Sequence, residues 1–237
     1  MKNTELKTDD SILKKPIGRA GFLKYSAVAI AGAGLMLAGC KKDDDNNNNN
    51  NGGSGSVDLG SDDIGVLNYA YALEQLEAAF YIAVIANKFD GMTIEETAIL
   101  TDIKAHEIVH RDFLKAALGT KAIKDLTPDF STIDFKSRAS VLGTAKAFED
   151  LGVSAYNGAG KLIKDDGYLL IAGKIVSVEA RHASAIRDLL NPNSKDFAGD
   201  DVVIGLGLDI SRAPSEVLAI AGKYIKDSID ASHLPTS

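Results

Sequence analysis

The chain has 237 residues, of which 45% are hydrophobic, and this size predicts one globular domain with terminal extensions. It carries 26 Lys and Arg against 33 Asp and Glu, so its acidic balance argues against nucleic-acid binding. Cys40 is the only cysteine in the sequence, which excludes a disulfide framework and a thiolate metal site.

Residues 1–39 predict an export signal. A basic start, with Lys14, Lys15, Arg19 and Lys24, leads into an uncharged stretch rich in alanine and glycine over residues 25–39. A membrane-spanning helix needs about 20 strongly apolar residues, so this shorter stretch favours an export signal over a membrane anchor.

Cys40 directly follows this segment. Together with the three residues before it, it forms the sequence Leu-Ala-Gly-Cys, which resembles the lipobox of bacterial lipoproteins. The resemblance implies that Cys40 is acylated and anchors an exported protein to the cell envelope, at the outer membrane or the cell surface. Residues 19–24 are similar to the twin-arginine export motif, but Ala20 replaces one arginine. The choice between the general secretory and twin-arginine routes therefore stays open.

Residues 40–57 predict a flexible tether behind the lipidated cysteine. Two lysines, three aspartates, six asparagines and a glycine-serine stretch follow Cys40, a composition that cannot bury a core. Lysines followed by acidic residues resemble the surface-export signal of Bacteroidetes lipoproteins, and a plain solvated spacer is the alternative.

Four helices are predicted over residues 58–190. The first begins after the N-cap residue Ser61, and the second begins with a capping box formed by Thr93 and Glu96. The predicted helices cover about residues 62–87, 94–118, 135–164 and 168–190. Two short turns and one link of about 16 residues, long enough to run the length of a bundle, predict an all-α four-helix bundle with one long crossover.

Each predicted helix has an inward-facing stripe with spacings of three and four residues. Two stripes contain Glu-x-x-His, and the other two contain a glutamate followed seven residues later by a tyrosine. The residues are Glu74 and Tyr81, Glu107 and His110, Glu149 and Tyr156, and Glu179 and His182. The sequence is therefore interpreted as two copies of one helical hairpin, about 75 residues apart.

These carboxylates and imidazoles are predicted to meet at one level of the bundle. Glu74 and Glu107 both lie about 16 residues from the first turn, or roughly 25 Å at 1.5 Å per residue. Four buried carboxylates would cost several kcal/mol each without cations, and two divalent ions neutralise them. The sequence therefore predicts two metal ions. A degenerate bundle with these groups paired or hydrated is the alternative. The predicted ligands are Glu74, Glu107, His110, Glu149, Glu179 and His182.

Glu77, Tyr81 and Tyr156 are expected beside the ligands. Glu77 aligns with Gly152 in the repeat, so symmetry does not require it as a ligand, and we predict that it supports the ligands or is partly solvated. Tyr81 and Tyr156 are predicted to be core residues that hydrogen-bond near the site, or catalytic residues with a redox role.

His106, Glu107 and His110 also satisfy the His-Glu-x-x-His pattern of zinc proteases. In that interpretation Glu107 is the general base and both histidines bind zinc. It leaves the other four candidate ligands unexplained, so we prefer two metal ions and place His106 on the helix surface or in support of a ligand.

Residues 58–190 resemble a ferritin-like domain, close to bacterial ferritin-like and desiccation-related proteins. The resemblance rests on both Glu-x-x-His motifs and on residues 73–81 and 148–156. It implies a carboxylate-bridged pair of ions, iron or else manganese, and oxidation of Fe(II) or reduction of O₂ or peroxide. A non-catalytic stress or surface protein with a structural metal is the alternative function.

Residues 191–237 predict an extension with one additional helix over about residues 214–229. Its apolar stripe is expected to cover the bundle or a neighbouring molecule. A homo-oligomer stays open, but mineral storage is not expected, because a lipid tether on every chain would hinder assembly of a closed cage.

Overall fold

The computed structural model describes residues 55–236. Four long helices form the bundle, and a shorter fifth helix follows in the extension. They are α1 (Asp62–Ala86), α2 (Ile94–Leu118), α3 (Arg138–Ala159), α4 (Asp166–Leu190) and α5 (Pro214–Ala221). The predicted all-α fold with an extra C-terminal helix is confirmed. The predicted export signal, Cys40 and most of the predicted tether lie outside the described residues.

The predicted crossover joins two antiparallel hairpins. At one end of the bundle, the Asp90 N–H donates to Lys136 O at 3.2 Å, so α3 begins beside the turn between α1 and α2. At the other end, the Lys164 N–H donates to Asp63 Oδ1 at 2.8 Å, so α3 ends beside the start of α1. Residues 119–137 therefore run from one end of the bundle to the other.

Side-chain caps set where the helices begin. Thr93 and Glu96 form the predicted capping box at the start of α2. Ser137 caps α3, which begins at Arg138 and not at residue 135, and Asp165 caps α4, which begins two residues earlier than predicted. The predicted third helix also ends early, because a 3₁₀ turn follows Ala159. These shifts leave the inward stripes unchanged.

Helix α1 is buried on nearly every side because the crossover and the extension cover its outer face. The Asn68 side-chain amide donates to Lys121 O at 3.0 Å, and the Leu126 N–H donates to Gln75 Oε1 at 2.7 Å. Polar side chains on the outer face of α1 thus form hydrogen bonds with backbone groups of the crossover. The inner face of α1 lies in the deepest part of the molecule.

The extension contains less helix than predicted. Helix α5 ends at Ala221, because Gly222 begins a 3₁₀ turn and residues 229 and 230 form a strand. Two short strand pairs are present: Val57–Asp58 with Ile229–Asp230, parallel, and Val203–Ile204 with Leu208–Asp209, antiparallel. Within residues 55–236, every helix is too short or too polar to cross a membrane.

Candidate metal centre

All six predicted ligands lie together in the middle of the bundle. Helices α1 and α3 each contribute one carboxylate, and α2 and α4 each contribute a carboxylate and an imidazole one turn apart. The residues are Glu74 on α1, Glu107 and His110 on α2, Glu149 on α3, and Glu179 and His182 on α4. All four carboxylates are fully buried, and the two imidazoles are nearly so.

The first group consists of Glu74, Glu107, His110 and Glu179, each of which offers a ligand atom within 4.8 Å of the others. His110 Nδ1 lies 2.7 Å from Glu179 Oε1, 3.5 Å from Glu74 Oε2 and 3.8 Å from Glu107 Oε2. Ligand atoms about 2.0–2.2 Å from one ion are about 3–4 Å from each other. The group therefore has dimensions that suit one metal ion.

The second group consists of Glu107, Glu149, Glu179 and His182. His182 Nδ1 lies 2.8 Å from Glu107 Oε1, 3.4 Å from Glu149 Oε2 and 3.5 Å from Glu179 Oε2. Glu107 and Glu179 belong to both groups, and each turns one oxygen towards His110 and the other towards His182. If each group held a metal ion, these two carboxylates would be shared between the two ions.

The candidate ligand atoms lie close to one another, but within residues 55–236 most of them form no hydrogen bond of good geometry. Both oxygens of Glu107 and Glu179, one oxygen each of Glu74 and Glu149, and Nδ1 of both histidines are buried without a hydrogen bond. Buried polar atoms without partners are rare and costly, and metal ions would satisfy all of these. Carboxylate and imidazole donors together suit iron, manganese or zinc. The residues therefore fit a metal site.

Without metal, protons must balance the buried carboxylates. Burial raises the pKa of Glu107 well above its usual range and raises the pKa of Glu149 to about 7. Burial also opposes ionisation of Glu179, but His110 and His182 outweigh it and lower the pKa of Glu179 to about 2. Burial disfavours both imidazolium ions, yet the surrounding carboxylates raise both histidine pKa values far above 6.5. The metal-free site therefore holds protons on both histidines at neutral pH.

Metal binding is expected to release these protons. The surrounding carboxylates hold the pKa values of His110 and His182 far above 6.5, so both imidazoles are protonated at pH 7 until they coordinate a metal. Loading with Zn²⁺ at pH 7 should release at least about two protons per chain, one from each histidine, because ligands bind in their deprotonated forms. Calorimetry in buffers of different ionisation enthalpy measures this number. Release of less than about one proton per chain would contradict the assigned protonation.

Tyr81 and Tyr156 bind carboxylates across the bundle. The Tyr81 hydroxyl donates to Glu149 Oε1, and the Tyr156 hydroxyl donates to Glu74 Oε1 at 2.6 Å. Each tyrosine thus contacts the glutamate of the other hairpin and not the one seven residues before it. Burial raises the pKa of both phenols well above the usual range, so both stay neutral donors that orient the carboxylates.

Glu77 lies beside the site but belongs to neither group. A Cβ added to Gly152 on α3 would lie 3.0 Å from Glu77 Oε1, so glycine at this repeat position makes room for a fifth buried carboxylate. Burial, with repulsion from the clustered glutamates, raises the pKa of Glu77 well above its usual range. Glu77 is 4% exposed, so the predicted alternative of partial solvation is wrong.

His106 contacts the outer side of His182. Its Nδ1 lies 2.9 Å from His182 Nε2, and the two rings stack with centroids 5.1 Å apart. This contact fixes how His182 turns its Nδ1 towards the carboxylates, as the outer partner of a ligating histidine does. Helix periodicity predicted only that His106 lies on the helix surface or supports a metal ligand. Its partner, 76 residues away, emerges only from the packing of α2 against α4.

The comparison with protein families agrees with this architecture. A family described as ferritin-like domain matches residues 62–192, more than half of the chain. A comparison with curated proteins finds no match. The matched region begins with α1, ends just after α4 and contains both groups of clustered carboxylates and imidazoles. The chain belongs to the ferritin-like domain family.

Proposed function

We propose that this protein binds two iron ions and oxidises ferrous iron with O₂ or peroxide, as an exported, lipid-anchored protein that protects against stress. The observation that supports this most is the sharing of Glu107 and Glu179 between the two groups. If each group held one ion, these two carboxylates would be shared between the ions, as in dinuclear enzymes. Manganese is the alternative metal. The motifs resemble those of desiccation-related proteins, which supports the role in stress.

Iron supplies one-electron chemistry between its ferrous and ferric states. In the overall reaction two ferrous ions give one electron each to the oxidant, which also takes up two protons. If the oxidant is O₂, the product is hydrogen peroxide. If the oxidant is hydrogen peroxide, the products are two water molecules. The protein contributes charge and orientation. The four carboxylates would neutralise the charge of the ions. The Tyr81 hydroxyl donates to Glu149 and the Tyr156 hydroxyl donates to Glu74, so each tyrosine orients one carboxylate. His106 orients His182.

Single-turnover oxidation tests this function. Ferrous iron added anaerobically and then exposed to oxidant should consume about one O₂ for every two irons, because each O₂ takes two electrons. The Glu179→Ala variant should lose this reaction, and an oxygen electrode with stopped-flow absorbance measures it. Metal binding without consumption of either oxidant would favour the structural-metal alternative.

The protein should also take up only a few irons per chain. A cage that stores iron oxide needs many subunits around a cavity, and a lipid tether on each chain would hinder it. Sedimentation and electron microscopy of iron-loaded protein should show small particles. A large hollow particle with a mineral core would make storage the function.

The lipid anchor gives a separate prediction at Cys40. The Leu-Ala-Gly-Cys sequence resembles a lipobox, so Cys40→Ser should accumulate unprocessed precursor and lose the lipid-modified form. Metabolic labelling with a fatty-acid probe and membrane fractionation measure both effects. A variant that matures and fractionates like the wild type would show that the lipoprotein assignment is wrong.

A further inference from the structure

A cavity of about 40 Å³ lies in the half of the bundle that contains the start of α1 and the end of α3. Larger apolar side chains form most of its wall, and alanines from all four helices form the rest: Ala70, Ala117, Ala155, Ala159 and Ala172. A small side chain at a core position leaves space that its larger neighbours do not fill completely. The alanines therefore contribute to the volume of the cavity.

The opposite half of the core is filled by aromatic side chains. Phe80 packs edge-on against Tyr81 and against Phe148, with ring centroids 5.1 Å apart in both pairs. The two hairpins repeat each other around the metal centre, yet one end of the core is packed with rings and the other holds the cavity. The cavity is thus not a consequence of the repeat itself.

The cavity lies between the metal centre and the partly exposed side chains of α2 and α4. On its inner side, Tyr156 lines it and donates to Glu74, and Leu73 lies directly before Glu74 in α1. On its outer side, the lining residues Phe113 and Ile171 are only half-buried. A molecule in the cavity is therefore separated from solvent by partly exposed side chains and from the ligands by one layer of side chains.

The size and chemistry of the cavity select what can occupy it. A water molecule needs about 10–15 Å³ and two to four polar partners, so this space has room for water but almost nothing to bind it. Tyr69 offers a buried hydroxyl without a partner in the described part of the chain, which is one donor only. Hydrogen peroxide, with two O–H donors, would lose its hydration here without compensation. Dioxygen is small and apolar, so it loses little hydration free energy when it enters the cavity.

We propose that dioxygen is the oxidant of this protein and that it reaches the metal centre through this cavity. This inference rests on the proposed oxidation of ferrous iron and names its oxidant. Each O₂ receives two electrons from two ferrous ions and two protons, and leaves as hydrogen peroxide. The apolar wall admits O₂ and holds back water and peroxide, so the cavity gives the site a preference for O₂ over peroxide.

Xenon binding tests the cavity without any turnover. Xenon is an apolar atom that enters dry cavities, so ¹²⁹Xe NMR of the zinc-loaded protein should show saturable binding. Ala159→Leu places three more carbons in the wall and should abolish it, as should Ala117→Leu on a different helix. Ala98→Leu, an exposed change on α2, should leave xenon binding unchanged. Failure of xenon to bind the wild-type protein would overturn the proposal.

The rates with the two oxidants test the route. In metal-replete Ala159→Leu and Ala117→Leu, the second-order rate constant for O₂ should fall by about tenfold or more, and the constant for peroxide should change by less than about twofold. Zinc stoichiometry equal to the wild type shows that each variant is folded. A wild-type O₂ rate in both filled variants, or an equal loss with both oxidants, refutes the cavity route alone. If neither oxidant oxidises the ferrous iron of the wild-type protein, the proposed function is refuted. Xenon binding is measured without turnover, so it tests the cavity separately from the proposed function.

Discussion

Replacing either shared carboxylate is expected to empty both metal positions. Glu107 and Glu179 each turn one oxygen towards His110 and the other towards His182, so Glu107→Ala or Glu179→Ala would remove a candidate ligand from both groups at once. Glu74 belongs only to the first group, so Glu74→Ala should bind about one ion per chain, and the wild type should bind about two. Elemental analysis after anaerobic loading and desalting measures the ratio of metal to protein.

Glu95→Ala is the matched control for this series. Glu95 is exposed on α2, the helix that carries Glu107, so its loss should leave two ions bound. Equal metal content in Glu74→Ala and Glu179→Ala would contradict the bridging assignment, because a terminal and a shared ligand would then have the same effect. Circular dichroism of each variant shows whether the helices persist.

Metal loading is expected to stabilise the protein strongly. At a free metal concentration about 1,000 times the dissociation constant, each bound ion adds about 4 kcal/mol to the free energy of unfolding, and two add about 8 kcal/mol. Total stabilities are about 5–15 kcal/mol, so this contribution is of the same size as the whole. The large effect has a physical cause, because the ions replace protons among four fully buried carboxylates.

Differential scanning calorimetry measures this stabilisation. The melting temperature should rise by about 20 °C on loading with Mn²⁺ or Zn²⁺, since each kcal/mol shifts a domain of this size by about 2–4 °C. The rise should be about half as large in Glu74→Ala and absent in Glu179→Ala. A melting temperature that does not respond to metal in the wild-type protein would contradict the proposed metal centre.

The sequence predicted the position of the six candidate ligands because helix geometry is local. Spacings of three and four residues place Glu107 with His110, and Glu179 with His182, on one face of a helix whatever surrounds it. The level of each residue follows from its distance to a turn, and a shift of two or three residues at a helix end does not change it. The internal repeat then distinguished Glu74 from Glu77.

Contacts between the hairpins could not be predicted in the same way. The seven-residue spacing suggests no partner for Tyr81 or Tyr156, and only the packing of α1 against α3 brings each hydroxyl to the other hairpin's glutamate. The contact of His106 with His182 likewise depends on how α2 rotates against α4. The extension was predicted least well, because Gly222 ends a helix whose apolar pattern continues beyond it.

Spectroscopy of the oxidised metal centre can show whether this protein holds a pair of coupled ions. Wild-type protein titrated anaerobically with ferrous iron, desalted and then exposed briefly to oxidant would be measured by metal analysis, Mössbauer spectroscopy and electron paramagnetic resonance. We expect about two irons per chain, and sharing of carboxylates should couple their ferric spins so that the paramagnetic resonance is silent. Saturation at one iron, or two ferric ions with independent resonance signals, would contradict it.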